Sequence, residues 1–156
     1  MNTNFDIDEW FKLAEEDIEA FDIIYERYIG NYDQMSYQWD DYINRHEDYR
    51  AKDSVFVELS YDDPIITDED RCIYDLGMMN FTHKPENASI MTIPGGTYKV
   101  FRFQGHVSQL LATFQGLFQV WFLQSGIDLD HRKIFQLYRQ VNCDTKEMTI
   151  DIYIPA

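Results

Sequence analysis

The chain of 156 residues carries a net charge of −15 and is rich in aromatic side chains, with 11 Tyr, 11 Phe and 3 Trp. This length predicts one domain, or two small modules that share a core. The negative charge argues against direct binding to nucleic acid, where Lys and Arg supply most of the affinity, and suits solubility, a basic partner or a cationic ligand.

Residues 1–20 form an acidic N-terminal extension ahead of the first predicted strand. A partial apolar stripe, which includes Leu13 and Ile18, suggests a short docking helix within this extension. The first module follows over about residues 21–80 as a strand, a helix and two further strands. Its predicted elements are 21–28, 34–46, 54–61 and 72–80.

The second module covers about residues 94–156 and repeats this order. A strand over 97–104 leads into a turn at Gly105 and His106, and Ser108 is a candidate N-cap. The helix that follows has the strongest apolar stripe in the chain. The stripe residues are Leu110, Leu111, Phe114, Leu117, Phe118 and Trp121. The two closing strands are predicted over 133–139 and 148–154.

The modules repeat each other at an offset of 75 residues, which places Arg102 on Arg27, and the offset becomes 76 at Asp151 and Asp75. Neither module can bury both faces of three strands alone, so we expect one α+β domain. The predicted fold is two pseudo-symmetric strand–helix–strand–strand modules with a cleft between them. Each arginine is expected to pair with a carboxylate across the sheet. Gly30 and Gly105, which coincide in the two modules, are expected to supply turn geometry that a side chain would strain.

The remaining sequence features predict no metal, no cofactor and no catalytic group. The four histidines show no ligand spacing among themselves, and no serine or cysteine has a recognisable nucleophile context. Cys72 and Cys143 are expected to be reduced thiols in a cytoplasmic protein. Without a signal peptide or an apolar run of about 18 residues, neither export nor a membrane span is expected.

Several segments occur in the order typical of one known family. They are Arg27-Tyr28-Ile29-Gly30-Asn31-Tyr32, Tyr61-Asp62-Asp63-Pro64, Arg71-Cys72-Ile73-Tyr74-Asp75, Pro94-Gly95-Gly96-Thr97-Tyr98, Phe101-Arg102-Phe103-Gln104-Gly105, Trp121 and Ile152-Tyr153-Ile154-Pro155. With these segments the chain resembles the GyrI-like small-molecule-binding domain, the fold of DNA gyrase inhibitory proteins and of effector-binding regions in AraC-type and MerR-type regulators. The resemblance covers residues 21–156, with residues 1–20 outside it.

The resemblance implies a cleft between the modules that binds small, lipophilic and often cationic molecules. Ring faces attract cations by about 0.5–2 kcal/mol per contact, which fits the aromatic composition. Aromatic residues on helical stripes, such as Trp39, are more often core, whereas Trp121 and Tyr138 are equally compatible with a pocket. The candidate ligand-binding residues are Tyr28, Trp39, Glu58, Tyr61, Trp121, Gln136 and Tyr138.

The family resemblance also implies an acidic group on the fifth strand, where this chain has Gln136. Glutamine carries no charge, so the sequence favours a neutral or mixed ligand, or a carboxylate supplied from elsewhere, such as Glu58. Strand alternation by itself favours a simpler interpretation of Glu58, as a solvated carboxylate. Residues 61–64 of the first module and residues 135–138 of the second occupy corresponding places but differ in sequence. We expect these two segments to determine ligand specificity.

Three functions follow from these expectations. The first is a small-molecule-binding, effector-sensing domain in bacterial transcription regulation or in the response to a drug or toxin. It is either a stand-alone protein or a fragment of a longer regulator, because only an acidic segment of about 20 residues precedes the first strand. The second is an interaction protein, similar to gyrase inhibitors, that presents its acidic surface to DNA gyrase or another basic partner. The third, hydrolysis of reactive cyclopropane-type toxins, is disfavoured because Gln136 cannot activate water.

Overall fold

The computed structural model describes residues 13–30, 35–60, 72–82, 88–117, 133–142 and 144–155. These residues form eight β-strands, two α-helices and one 3₁₀ turn at Glu47–Tyr49. The strands are β1 Ala14–Ile18, β2 Phe21–Gly30, β3 Val55–Ser60, β4 Cys72–Met79, β5 Ser89–Ile93, β6 Gly96–His106, β7 Ile134–Val141 and β8 Glu147–Pro155. The helices are α1 Met35–His46 and α2 Val107–Leu117.

All eight strands belong to one antiparallel sheet with the order β1-β6-β8-β7-β3-β4-β2-β5. In the first half β4 lies between β2 and β3, and in the second half β8 lies between β6 and β7. The pairing of β3 with β7 joins the halves at the middle of the sheet. The fold is thus an antiparallel sheet with two short helices, in agreement with the predicted α+β class.

Both helices pack on the same face of the sheet. The cluster under α1 includes Phe56 of β3, and the cluster under α2 includes Tyr138 of β7. Phe56 and Tyr138 are paired directly across the β3–β7 ladder, and directly paired side chains project from the same face. The alternate residues Val57, Phe135 and Leu137 belong to a separate core on the opposite face. The middle of the sheet is therefore covered on both sides.

Most predicted elements agree with the structure to within a few residues, and three local predictions are wrong. The docking helix is wrong for residues 14–18, which form β1 and pair with β6. The predicted turn at Gly105 is wrong, because β6 continues through His106 into α2. Ser108 is therefore not the N-cap but lies within α2, and its backbone N–H donates to Nδ1 of His106 at 3.1 Å. The strand β5, which pairs with β2, was not predicted.

The predicted arginine–carboxylate pairs are confirmed in both halves. Arg27 donates to Asp75 through Nε at 3.0 Å and Nη2 at 3.2 Å. Arg102 makes the same two contacts with Asp151 at 2.7 and 2.9 Å. A β-bulge after Tyr138 shifts the register of β7 against β8. Arg139, at this bulge, donates to Asp151 at 2.9 Å, a contact that gives the second half a third charged partner.

Two glycines have backbone conformations that side chains rarely adopt. Gly30, at the end of β2, has a φ of 152°, and Gly96, at the start of β6, has a φ of 133°. A positive φ costs other residues strain, so the special backbone geometry predicted for Gly30 agrees with the structure. The neighbouring Gly95 has a different requirement, because a Cβ there would lie 2.7 Å from the backbone nitrogen of Ala20.

Candidate functional site

Two polar side chains lie opposite each other at the centre of the sheet. Glu58 of β3 is paired with Gln136 of β7, and both project from the helix face, in alternation with the residues of the opposite core. Directly opposed Cβ atoms in an antiparallel ladder are about 5 Å apart. Because α1 packs over the first half and α2 over the second, this pair lies between the two helix clusters.

Glu58 and Gln136 are buried, with exposed fractions of 2% and 5%. Within the described part of the chain, Oε1 of Glu58 and Oε1 of Gln136 have no hydrogen-bond partner. Burial raises the pKa of Glu58 from 4.5 to about 7, and a hydrogen bond from the Tyr138 side chain opposes this rise. The interpretation of Glu58 as a solvated carboxylate is therefore wrong. Its charge is carried in a desolvated environment, where an opposite charge would be strongly favourable.

An aromatic group adjoins this polar pair. Trp39 of α1 makes edge-to-face contacts with Phe56 at 5.4 Å and with Tyr138 at 5.3 Å, measured between ring centroids. Trp39 therefore spans from its own cluster to a residue of the α2 cluster. Its indole Nε1 is buried and lacks an acceptor among the described residues. Buried indole N–H groups usually have a partner, so this donor is available to a bound molecule.

The structure brings together four of the seven predicted ligand-binding residues, namely Trp39, Glu58, Gln136 and Tyr138. Tyr28 lies on β2, two strands from β3, and its hydroxyl donates to Asp41 of α1 at 2.9 Å. Its ring stacks on Tyr74 instead of joining the central group.

Tyr61 and Trp121 lie outside the described residues, so their predicted roles stay predictions. Phe56 was missed as a member of the aromatic group, although the alternation of β3 places it on the same face as Glu58.

Strand β3 lies directly beside residues 135–138 in the sheet. Tyr138 is paired with Phe56, and Phe135 with Leu59. The segment of the first half that lies beside Phe135–Tyr138 is therefore residues 56–59. Residues 61–64 themselves lie outside the described residues. The expected correspondence of residues 61–64 with residues 135–138 therefore stays a prediction.

Other surfaces of the described residues offer less chemistry. A shallow depression of about 590 Å³ lies between β6 and α2, away from Glu58. It is lined by Phe101, Arg102, Phe103, Gln104, Ser108, Gln109, Ala112 and Thr113. Among the described residues, His, Cys, Asp and Glu side chains form no group of three suited to a metal. No helix in the described ranges has the length and apolar character needed to cross a membrane.

Replacing Tyr138 with phenylalanine is expected to raise the pKa of Glu58 above 7. The phenol hydrogen bond stabilises the ionised carboxylate, and its removal leaves the desolvation penalty unopposed. The carboxyl ¹³C shift of labelled Glu58, followed from pH 4 to pH 9, measures the midpoint. Phe56→Leu is the matched control, because it removes a neighbouring ring without touching that hydrogen bond. An unchanged or lower midpoint in Tyr138→Phe would contradict the expectation.

Comparisons with known proteins agree with this architecture. The model of the family described as GyrI-like small molecule binding domain matches residues 12–156. The C-terminal domain of EcmrR is similar in structure, with a TM-score of 0.69 and 15% identity over 92% of this chain and 95% of that domain. EcmrR in its complex with DNA is also similar, with a TM-score of 0.68 and 16% identity. This match includes 92% of the present chain but only 56% of the EcmrR chain.

A third similar structure is SAV2435 bound to tetraphenylphosphonium. Its TM-score is 0.64 at 11% identity, and the match covers 92% of both chains. None of the curated proteins matches the chain by sequence. At these identities the structural similarities establish the fold.

Proposed function

This chain belongs to the GyrI-like family of small-molecule-binding domains, and we propose that it binds a lipophilic aromatic molecule, most tightly as a cation, over the Glu58–Gln136 pair. The buried carboxylate of Glu58 is the observation that carries the proposal. Within the described ranges, its pKa is perturbed only by burial and a hydrogen bond from the Tyr138 side chain, with no cation beside it. A ligand cation would supply the missing charge, and Trp39 would supply a ring face.

We further propose that the chain acts as an effector-sensing domain in bacterial transcription regulation, or in the response to a drug or toxin, in the cytoplasm. Two similar structures support this role. One is the C-terminal domain of EcmrR, a protein also found in a complex with DNA. The other, SAV2435, is bound to a lipophilic cation.

We propose that the two halves of the sheet are pseudo-symmetric about an axis between Glu58 and Gln136. Glu58 lies beside Leu76 of β4, and Gln136 lies beside Ile152 of β8. Leu76 and Ile152 are 76 positions apart, which is also the spacing of Asp75 and Asp151. Glu58 and Gln136 then occupy equivalent positions in a shared site, where one half supplies a charge and the other a neutral amide.

The binding proposal is tested with two molecules of the same shape, 2-naphthylmethylammonium and neutral 2-naphthylmethanol. We expect the cation to bind more tightly at pH 8, because Glu58 is then mostly ionised. At pH 6 about one tenth of the empty sites hold the carboxylate form, so the cation should bind about tenfold more weakly. The alcohol should show no such change. Calorimetry measures both constants.

Two variants separate this site from the general acidity of the protein. Glu58→Gln is expected to abolish the preference for the cation, whereas Glu19→Gln removes an exposed carboxylate between β1 and β2 and should leave that preference intact. Equal affinity for cation and alcohol in the wild type, or equal loss in both variants, would contradict the proposed site.

Hydrolysis of a reactive electrophile is a second function that one observation favours. A general base works best with a pKa close to the working pH, and Glu58, buried at the position opposite Gln136, has a pKa of about 7. Glu58 could therefore activate water in place of Gln136, which cannot. If the wild type does not turn over a cyclopropane-containing electrophile, this function is eliminated. Turnover that persists in Glu58→Gln would exclude Glu58 as the base.

A further inference from the structure

The polar pair at the centre of the helix face contains two acceptors to which no described residue donates. Oε1 of Glu58 and Oε1 of Gln136 are both buried, and neither has a hydrogen-bond partner within the described residues. The pair is in direct register, so the two side chains project side by side from adjacent strands. Each buried acceptor that stays unsatisfied is costly, so these two neighbouring side chains carry two such costs.

We propose that this site selects cations that carry at least two N–H donors, such as a primary ammonium or an amidinium, over quaternary cations of the same size. One N–H donates to Oε1 of Glu58 and neutralises its charge. A second N–H donates to Oε1 of Gln136. This inference rests on the proposed binding function and adds the chemical class of the ligand head group.

The geometry distinguishes the two classes of cation because only one of them can satisfy the amide. A quaternary ammonium or phosphonium brings charge to Glu58 but presents only carbon-bound hydrogens to the pair. Oε1 of Gln136 would then remain without a donor under a bound molecule that also excludes water. Sites built to hydrogen-bond a polar group reject analogues that lack it much more strongly than apolar pockets reject a change of size.

Trp39 determines where the apolar part of such a ligand lies. Its ring contacts Tyr138 and Phe56, the two residues directly paired across the same ladder two positions from Gln136 and Glu58. Residues two apart on a strand share a face, so the aromatic group continues the surface that the polar pair begins. An aromatic ligand with an ammonium at one end can thus contact the rings and the two acceptors together.

The test compares 2-naphthylmethylammonium with its N,N,N-trimethyl derivative at pH 8, where both probes are cationic. The trimethyl probe is the more lipophilic and the less hydrated of the two, so a merely aromatic anionic site would favour it. For the wild-type chain we expect calorimetry to show about tenfold or tighter binding of the primary ammonium. Equal or tighter binding of the trimethyl probe overturns the inference.

Gln136→Leu is the diagnostic variant, since it removes the second acceptor and retains Glu58. We expect it to bind the trimethyl probe at least as tightly as the wild type and to lose most of the preference for the primary ammonium. An unchanged preference in this variant also overturns the inference. Because Gln136 is buried, urea denaturation must first show that the variant is folded; Gln136→Met replaces it if it is not.

A double variant tests the pair from the opposite direction. Glu58→Gln combined with Gln136→Glu exchanges the charge and the amide between the two strands. If one ligand nitrogen bridges both acceptors, the exchange should restore the preference for the primary ammonium that Glu58→Gln alone loses. A folded double variant without that preference counts against the bridge. Tight binding of the trimethyl probe alone refutes only this inference, whereas failure of both cations to bind refutes the proposed function as well.

Discussion

Glu58→Gln is expected to make the folded chain about 3 kcal/mol more stable than the wild type above pH 8, with little difference near pH 4.5. Glutamine has nearly the same shape as glutamate, so the variant removes the buried charge and leaves the packing around β3 in place. The predicted gain equals the free energy that corresponds to the rise of the Glu58 pKa from 4.5 to about 7.

The direction of the pH dependence follows from proton binding. Between pH 4.5 and 7 the folded chain keeps a proton on Glu58, whereas the unfolded chain has already released it. Stability therefore falls as the pH rises through this window and levels off above it. A carboxylate paired with arginine behaves in the opposite way. A protein of charge −15 also gains general repulsion as the pH rises.

Urea denaturation of the wild type and the variant at intervals from pH 4.5 to pH 8.5 measures the effect, because their difference cancels the general repulsion. Glu19→Gln is the control for removal of one negative charge from an exposed position. The difference in unfolding free energy between this control and the wild type should stay constant from pH 4.5 to pH 8.5. If the difference between Glu58→Gln and the wild type is also constant with pH, Glu58 is not a desolvated carboxylate. The expected gain is typical of a binding site, which retains a costly group for its function.

The position of Glu58 could not be obtained from the sequence, for a physical reason. Alternation in β3 places Val57 and Leu59 on one face and Glu58 on the other, which is the pattern of a strand with one solvated side. That pattern cannot show that α1 and α2 cover the second face as well. Only the pairing of β3 with β7 reveals that Glu58 lies in the middle of the sheet, beside Gln136.

The two edge strands, β1 and β5, also could not be predicted from the sequence. β1 spans only five residues, and among the described strands it pairs with β6 alone. Its conformation therefore depends on a partner more than 75 positions away. β5 is equally short, and β2 is its one partner in the part of the sheet that the structure describes. Local preference is weak for such segments, because what stabilises an edge strand is its neighbour. The long central strands and the helix of the first half were predictable because their own patterns were strong.

The charged pairs on the sheet were predictable because the repeat marks both partners. Arg27 and Arg102 coincide in the two halves, and so do Asp75 and Asp151. Residues that coincide in this way and carry opposite charges are most simply explained as a structural feature used twice. The sequence did not reveal the third partner, Arg139, since its contact with Asp151 depends on the bulge in β7.

Asp151→Asn is expected to destabilise the fold by about 3 kcal/mol, and the corresponding Asp75→Asn by about 2 kcal/mol. Asp151 accepts three bonds from two guanidinium groups, whereas Asp75 accepts two from Arg27. Losing a buried carboxylate often costs more than this. Here Arg102 and Arg139 are 57% and 39% exposed, so water partly compensates them.

The pH dependence identifies the cause of this loss. Burial alone would raise the pKa of Asp151, but the hydrogen bonds and charges of Arg102 and Arg139 override it and hold that pKa below 3.8. The stabilisation is therefore complete above pH 3.8 and is lost as the pH falls through the folded-state value. Wild type and Asp151→Asn should differ by a constant amount from pH 5 to pH 8 and converge in acid, as urea denaturation can measure.

Single arginine variants then separate the two contacts to Asp151. Arg102→Met and Arg139→Met should each cost less than Asp151→Asn, because the remaining guanidinium still neutralises the carboxylate. Their double variant should cost more than the sum of the two, since it leaves a buried charge with neither arginine. Strict additivity would show that each arginine acts alone. In that case the contact of Arg139 with Asp151 would add its own stabilisation, with no energetic coupling to Arg102.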